Sequence, residues 1–302
     1  MCGICGLIQP KQKSSAYNSE HVVIKMREKL THRGPDQSGE WFNKEEEAYF
    51  GHRRLSVIDL SENGRQPMVS KCGNYVITYN GEVYNFRELR KELKAKGYWF
   101  RSTTDTEVVL NALAEWGTKA LIRFNGMFAF ALWDRKEQSL LLARDRYGIK
   151  PLYVSHQKNI FAFGSEQKAI LKIPRLKRKI DRAALLEYFT FQNIFTDRTL
   201  LEDIKLFPAG HFATLDLKTD NPILKYSEYW DYSFQEPTEP ANRQEYQEEL
   251  DRLFQQAVNR QLISDVELGS YLSGGMDSGS ITAIAAKSFP YLKTFTCGFD
   301  LS

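Results

Sequence analysis

The chain opens Met1-Cys2-Gly3-Ile4-Cys5-Gly6, and the reading of these six residues decides how the rest is understood. Methionine aminopeptidases remove Met1 when a small residue follows, and cysteine qualifies, so the mature chain is expected to begin at Cys2. A free α-amine (pKa about 7.7–8.0) would then sit beside a thiol (about 8.5), and the two can exchange a proton near neutrality. One residue would supply both nucleophile and base, which elsewhere takes a Cys/His pair. Gly3 and Gly6 would let the backbone approach closely. Two rival readings of Cys-x-x-Cys are a redox dithiol and a zinc site. Zinc needs four ligands, and the remaining cysteines, Cys72 and Cys297, are isolated. No βαβ pattern follows Cys5 at once, as a thioredoxin-like site would require. The plainest alternative is an unremarkable Cys2 behind a retained methionine.

At 302 residues the chain is expected to hold two domains. A hydrophobic fraction of 42% and a charged fraction of 26% are those of a folded, soluble protein. A net charge of +3 argues for neither nucleic acid nor an anionic membrane, and the basic run Arg175–Lys179 reads as a solvated surface. Four irregularly spaced cysteines form no secreted disulfide framework. The longest apolar run, Met127–Trp133, is far short of the ~20 residues that span a bilayer. The start is too short for a signal peptide and lacks preceding basic residues. The expected location is the cytoplasm.

After a short strand at Ile4–Ile8, the residues Val22, Val23, Met26 and Leu30 recur at helical spacing. Strands are expected around Tyr75, Ile77 and Tyr79, around Phe128, Phe130 and Leu132, and at Leu140–Ala143, Leu152–Val154 and Phe161–Phe163. Helices are expected at Phe86–Lys96 and Thr106–Trp116, the second with a capping-box signature in Thr104 and Glu107. Many strands and few amphipathic helices suggest sheets with helices on their faces.

Polar motifs fall near the ends of these elements. His52-Arg53-Arg54-Leu55-Ser56 supplies guanidinium groups suited to a carboxylate. Asn80-Gly81 reads as a strand turning, where an amide and a glycine N–H can converge on an oxyanion; its commoner meaning is a hairpin turn, and the two are compatible. Asp105, at a helix start, is a partner for a cationic amine or an N-cap. Arg33-Gly34-Pro35-Asp36 by itself is only a loop.

Taken together, MCGICG, RGPD, GHRRLSVIDL, QPM, YNGEVYN, TDTEVVL, FNGMFAFALWD, RDRYGIKPLY and FGSEQKAIL resemble a class II glutamine amidotransferase domain, and more narrowly the glutamine-hydrolysing asparagine synthetases. The resemblance implies an α+β fold: the four-layer αββα sandwich of the N-terminal-nucleophile hydrolases. By this resemblance Cys2 is the nucleophile and Asn80 and Gly81 form the oxyanion hole. Arg54 clamps the glutamine α-carboxylate within a binding set of Leu55, Ser56, Val57, Ile58, Asn80, Gly81 and Glu82, and Asp105 meets the α-amine.

The character changes after Pro208-Ala209-Gly210. The expected first domain is 2–217, and 218–243, rich in Pro, Asn, Thr and Glu, reads as a linker. In 244–302, Tyr246, Leu250, Leu253, Phe254, Ala257, Val258 and Leu262 form a helical apolar stripe. Glu267–Leu272 reads as a buried strand, Ser273–Ser278 as a loop, Ser280–Lys287 as a helix and Thr294–Gly298 as a parallel strand. Strand, glycine loop and helix aim N–H groups at one point, which suits a phosphate. The loop lacks the lysine of GxxxxGK[ST].

SGGMDS resembles instead the pyrophosphate loop of carboxylate-adenylating enzymes and the start of their α/β domain. That resemblance implies ATP as co-substrate, with Ser273, Gly274, Gly275 and Ser278 on the phosphates and Asp277 on Mg²⁺. Adenine would lie against Tyr271 or Leu272 and Cys297. Glutamine and aspartate are the further implied substrates, and a homodimer is the assembly the resemblance allows. Two strands after the linker are too few for a doubly wound sheet, so either a fragment of a longer protein, the favoured expectation, or a broken domain is implied. The competing readings are another carboxylate acceptor or a non-catalytic binding protein with this fold. SGGMDS argues against the aminosugar and phosphoribosylamine amidotransferases.

Overall fold

The computed structural model describes residues 1–9, 18–157, 160–219, 222–236 and 242–298. It divides into two compact units, Met1–Asp231 and Tyr232–Ser302. The first contains, in order, β1 (Gly3–Ile8), α1 (Ser19–Glu28), β2 (Gln37–Asn43), β3 (Ala48–Arg54), β4 (Met68–Val69), β5 (Tyr75–Val83), α2 (Phe86–Ala95), α3 (Asp105–Trp116), β6 (Gly126–Asp134), β7 (Ser139–Arg144), β8 (Tyr153–Gln157), β9 (Ile160–Gly164), α4 (Gln167–Ile170), α5 (Arg182–Phe191), β10 (Lys205–Leu206), β11 (His211–Asp216) and β12 (Lys225–Glu228). Two six-stranded sheets result, ordered β10-β8-β9-β1-β3-β2 and β12-β11-β7-β6-β5-β4, and every pairing in them is antiparallel.

The main core lies between the sheets. Ile4, Ile8, Phe50, Leu152 and Phe163 from the first meet Val76, Ala129, Trp133, Leu142 and Ala213 from the second. On the outer face of the first sheet, Cys5, Leu7 and Tyr49 pack under Val22, Val23, Met26 and Leu30 of the α1 segment and Ala169 and Ile170 of α4. Helix α3 lies against β5, with α2 beside it. Four layers follow, α–β–β–α, as the resemblance implies.

Local chemistry explains the elements. Asn18 caps α1 by accepting from His21 N–H at 3.1 Å, and its apolar residues recur on one face. Thr104 caps α3 through Glu107 N–H at 3.3 Å, which makes Asp105 the first helical residue rather than the cap. The capping box is open on its return side. Glu107 accepts instead from Arg101 N–H (3.0 Å) and Ser102 N–H (2.8 Å), pinning the incoming loop. In β5 Val76, Ile77, Thr78, Tyr79 and Asn80 are all buried, because sheet and helix cover opposite faces. Gly6 is required by packing: a Cβ there would come within 2.3 Å of the Phe163 ring.

His52 crosses from β3 to the other sheet, where its Nε2–H donates to Tyr79 O at 3.0 Å. Burial holds its pKa down at about 4, outweighing the carbonyl bond that raises it. An unfolded histidine titrates near 6.5, so between about pH 6.5 and 4 the unfolded chain binds the extra proton. Stability should therefore fall as pH drops through that window, by up to about 3 kcal/mol. Urea midpoints measured across it should decline less steeply in His52→Gln; an identical slope would remove His52 from the account.

The boundary between units falls at Asp231, later than composition suggests. Residues 225–228 form β12 on the sheet edge, paired with β11. Every residue of β12 is exposed, so it carries no hydrophobic pattern to read. Residues 220–221 and 237–241 of the expected linker lie outside the described residues.

The second unit holds α6 (Arg243–Arg260), β13 (Gly269–Tyr271), α7 (Met276–Ser288) and β14 (Lys293–Phe295). Strands β13 and β14 pair in parallel, Ser270 opposite Thr294, with α7 as the crossover. Val258, Ile284 and Ala285 form a small core with Phe254, Leu262 and Leu292 against it. The strand expected to be buried is exposed, Tyr271 at 84%, since two short strands and two helices cover little surface. The α6 stripe is likewise mostly open at Tyr246, Leu250 and Leu253.

Candidate active site

Strands β1, β3 and β5 end around one pocket of about 310 Å³. It gathers Cys2, Arg54, Leu55, Val57, Ile58, Asn80, Gly81, Glu82 and Asp105, residues up to 103 positions apart, together with Met1, Gln66, Tyr79, Thr104, Thr106, Met127, Ile149 and Lys150. Of the residues expected here, Ser56 does not line it; its N–H is turned to Asp36 Oδ2 at 2.7 Å.

Cys2 is anchored by its backbone and open at sulfur. Arg33 Nε donates to Cys2 O at 2.9 Å, and Arg33 Nη1 is paired with Glu166 at 3.1 Å. Burial raises Glu166, but bonds from Lys168, His32 and Arg33 outweigh it and hold its pKa at about 2. The Cys2 sulfur lies 3.4 Å from Leu55 N–H and 3.7 Å from Leu55 O. Burial pushes the thiol pKa up, while the Leu55 bond, the amine of Met1 and Arg54 pull it down.

Cys5 faces the opposite way. It is fully buried under α1, its Sγ 3.7 Å from Gly51 O, and burial pushes its pKa to about 12. Three positions along a strand reverse the face, so Cys2 and Cys5 form no dithiol. Among the described residues no group of three His, Cys, Asp or Glu could hold a metal.

Asn80 and Gly81 do not turn the strand. They lie within β5, opposite Ala129 and Phe128 of β6. Phe128 exchanges its backbone bonds with Asp145 on its other side, through Phe128 O (2.8 Å) and Phe128 N–H (3.2 Å). The Gly81–Phe128 pair is therefore of the non-hydrogen-bonded kind, and Gly81 N–H emerges on the free edge of β5. Its neighbours on that edge are satisfied: Tyr79 N–H by Gln66 Oε1 (2.7 Å) and Val83 N–H by Asp105 Oδ2 (2.9 Å). Beside it, Asn80 Nδ2 is buried with no hydrogen-bond partner among the described residues. Two donors thus converge on the pocket. Glycine is needed because a Cβ at Gly81 would lie 2.5 Å from Met127 O and 2.7 Å from Phe128 Cβ.

Asp105 is 5% exposed and accepts from Tyr79 Oη at 2.8 Å as well as from Val83. Burial pushes its pKa up, against these bonds. Burial, then Asp105, also raises Glu82. Two carboxylates sharing a pocket favour a bound cation.

Arg54 is 4% exposed and largely occupied. Its Nη1 donates to Gln37 Oε1 (2.9 Å) and Ser61 O (3.1 Å), its Nη2 to Ile58 O (3.0 Å) and Asp59 O. It therefore shapes the loop that walls the pocket and presents a cationic edge to it. Arg53 points elsewhere, to Glu28.

The profile described as glutamine amidotransferase domain matches residues 1–230. The chain belongs to this family. The profile described as asparagine synthase matches residues 249–302. Among curated relatives, asparagine synthetase [glutamine-hydrolyzing] 3 of Bacillus subtilis is 41% identical over 292 residues, 96% of this chain and 46% of the relative. Asparagine synthetase [glutamine-hydrolyzing] 1 of the same organism is 37% identical over 300 residues, 99% of this chain and 46% of the relative. The chain thus spans about half the length of the curated relatives it matches. A solved B. subtilis glutamine phosphoribosylpyrophosphate amidotransferase, complexed with ADP and GMP, matches with TM-score 0.55 at 15% identity, over 98% of this chain and 65% of that one, a likeness of fold.

Within the amidotransferase unit, sequence reading missed several residues. Arg33 and Asp36, read as loop, hold Cys2 and Ser56. Gln66 bridges Tyr79 N–H to Thr106 Oγ1, the latter at 3.2 Å. Lys150, buried at 4% exposure, was unmarked. The motifs RGPD, QPM and RDRYGIK were visible as strings, but no local rule assigns them a role.

In the second unit, Ser273 N–H donates to Ser278 Oγ at 3.1 Å, and Ser278 Oγ donates to Gly275 O at 3.1 Å. Gly275 caps α7 with no side-chain bond, and Gly274 has φ +82° with nothing near its missing Cβ. This open, uncapped loop fits a phosphate. Tyr271, Leu272 and Cys297 lie at the strand ends, where Leu272 N–H donates to Phe295 O at 2.9 Å. Asp277 stands exposed in the first turn of α7, a single carboxylate of the kind that holds Mg²⁺ jointly with phosphates.

Proposed function

We propose that the first unit hydrolyses glutamine to glutamate and ammonia, with Cys2 as nucleophile once Met1 is removed. The observation that carries this is the convergence of Cys2 with the buried, unpartnered Asn80 Nδ2 and the free-edge Gly81 N–H. The freed α-amine takes the thiol proton, and the thiolate attacks the side-chain carboxamide. The Asn80 and Gly81 donors receive the oxyanion. The amine returns the proton as ammonia leaves a glutamyl thioester, which water cleaves to glutamate. Asp105 and Glu82 receive the α-ammonium, and the edge of Arg54 the α-carboxylate. Glutamate release from glutamine, with intact mass showing Cys2 as first residue, tests this; activity with Met1 retained would overturn it.

The wider reading is that ammonia amidates an ATP-activated aspartate, giving asparagine, AMP and pyrophosphate. It is supported by the asparagine synthase match and the SGGMDS loop. Ser273, Gly274, Gly275 and Ser278 would hold phosphates, Asp277 Mg²⁺, and Tyr271, Leu272 and Cys297 the adenine. Among the described residues no helix is long and apolar enough to cross a membrane, and four unpaired cysteines suit the reducing cytoplasm.

Arg54→Lys should raise the KM for glutamine about ten- to a hundredfold, the loss of roughly 1.5–3 kcal/mol, because an ammonium cannot replace the fork that holds the 58–61 carbonyls and faces the substrate. Arg53→Lys should change it little. Steady-state kinetics of both variants check this, and greater sensitivity at Arg53 would move the clamp by one residue.

A further inference from the structure

The end of β7 and the residue after it carry two buried charges, Arg144 and Asp145, at 8% and 0% exposure. Arg144 donates to Lys150 O (2.8 Å), Phe207 O (2.6 Å) and Gly148 O (2.6 Å). Asp145 accepts from the N–H groups of Phe128 (3.2 Å), Tyr147 (3.1 Å), Ile149 (2.9 Å) and Lys150 (2.9 Å). Buried charges are tolerated only when so saturated. The residue gripped from both sides is Lys150, its N–H by Asp145 and its carbonyl by Arg144. The same Asp145 grips Phe128, the residue opposite Gly81.

The Lys150 side chain is therefore set on a rigid support, 4% exposed, in the pocket that holds Cys2 and Glu82. Its ammonium makes no hydrogen bond or ion pair with any described residue. Burial lowers its pKa, and Glu82 and then Cys2 oppose that. Coulomb coupling is reciprocal: a thiolate that stabilises the ammonium is stabilised by it.

We infer that Lys150 is a positioning residue for the nucleophile, a buried cation fixed in the pocket to favour the Cys2 thiolate over the thiol. This rests on the glutaminase reading of Cys2. It offsets the burial that disfavours the thiolate. The other charges facing the thiol are the Met1 amine and Arg54, which pull its pKa down, and Asp105, which raises it. Glu82 and Arg33 face the amine and the ammonium.

The test is the rate of Cys2 alkylation by iodoacetamide from about pH 6 to 10, read by peptide mass spectrometry so that Cys72 and Cys297 do not contribute. Lys150→Met should move the midpoint up by roughly one unit, and Lys150→Arg should stay near the parent. Lys150→Gln, neutral but polar, gives the same reading should the methionine variant not fold. An unmoved midpoint in the neutral variants, or an arginine variant displaced as far as they are, would overturn the inference. Glutamate release is followed in parallel: its absence from the parent protein sinks the proposed function, while the thiol titration still decides Lys150.

Discussion

Cys2→Ala should lower glutamate release by about 10⁴-fold or more, since the reaction loses the atom that forms its covalent intermediate. Cys5→Ala should retain most activity. The structure gives the reason for the contrast. Cys2 opens onto the pocket, whereas Cys5 is sealed beneath α1 among Val22, Val23 and Met26 with its thiol held protonated. The cost of Cys5→Ala falls on packing, and its reading is a lower unfolding midpoint at unchanged kcat. Glutamate assays on both variants, with unfolding curves alongside, separate the two effects. Equal loss of activity from both would restore the dithiol reading.

Asn80→Ala should lower kcat about 10²–10³-fold with a much smaller change in KM, the usual cost of removing one oxyanion donor. The side chain is 1% exposed and its Nδ2 has no hydrogen-bond partner among the described residues. A buried unpaired donor is costly to keep, so its removal should not destabilise the fold. Lower kcat at undiminished thermal stability is the expected pair of results. A variant with parental kcat would place the oxyanion elsewhere, and one that merely unfolds would make Asn80 a structural residue.

Much of this site was legible in the chain because its residues act through local chemistry. A cysteine behind the initiator methionine, an arginine pair and an aspartate at a helix start each carry meaning in isolation. Helix α1 declared itself by spacing, and Thr104 declared the start of α3. The reading failed where meaning depends on a neighbour from elsewhere in the chain. Asn80-Gly81 has the composition of a turn, yet β6 pairs straight across it and makes it strand. β12 has no apolar face, because an edge strand needs only backbone bonds to join a sheet. The strand at 269–271 was expected to be buried, but burial is set by what packs against it.

By itself, then, the sequence determined about half of the elements of the first unit, the Thr104 cap and most of the reactive groups, since these follow from side-chain volume, period and pKa within a few residues. Only the tertiary structure decided which groups face one another. Strand parity is fixed by the partner strand, and it turned Gly81 N–H to the open edge of β5 and Cys5 away from Cys2. Saturation of the buried Arg144 and Asp145 set Lys150 in the pocket. Those outcomes depend on contacts between residues distant along the chain, through hydrogen bonds that no local pattern records.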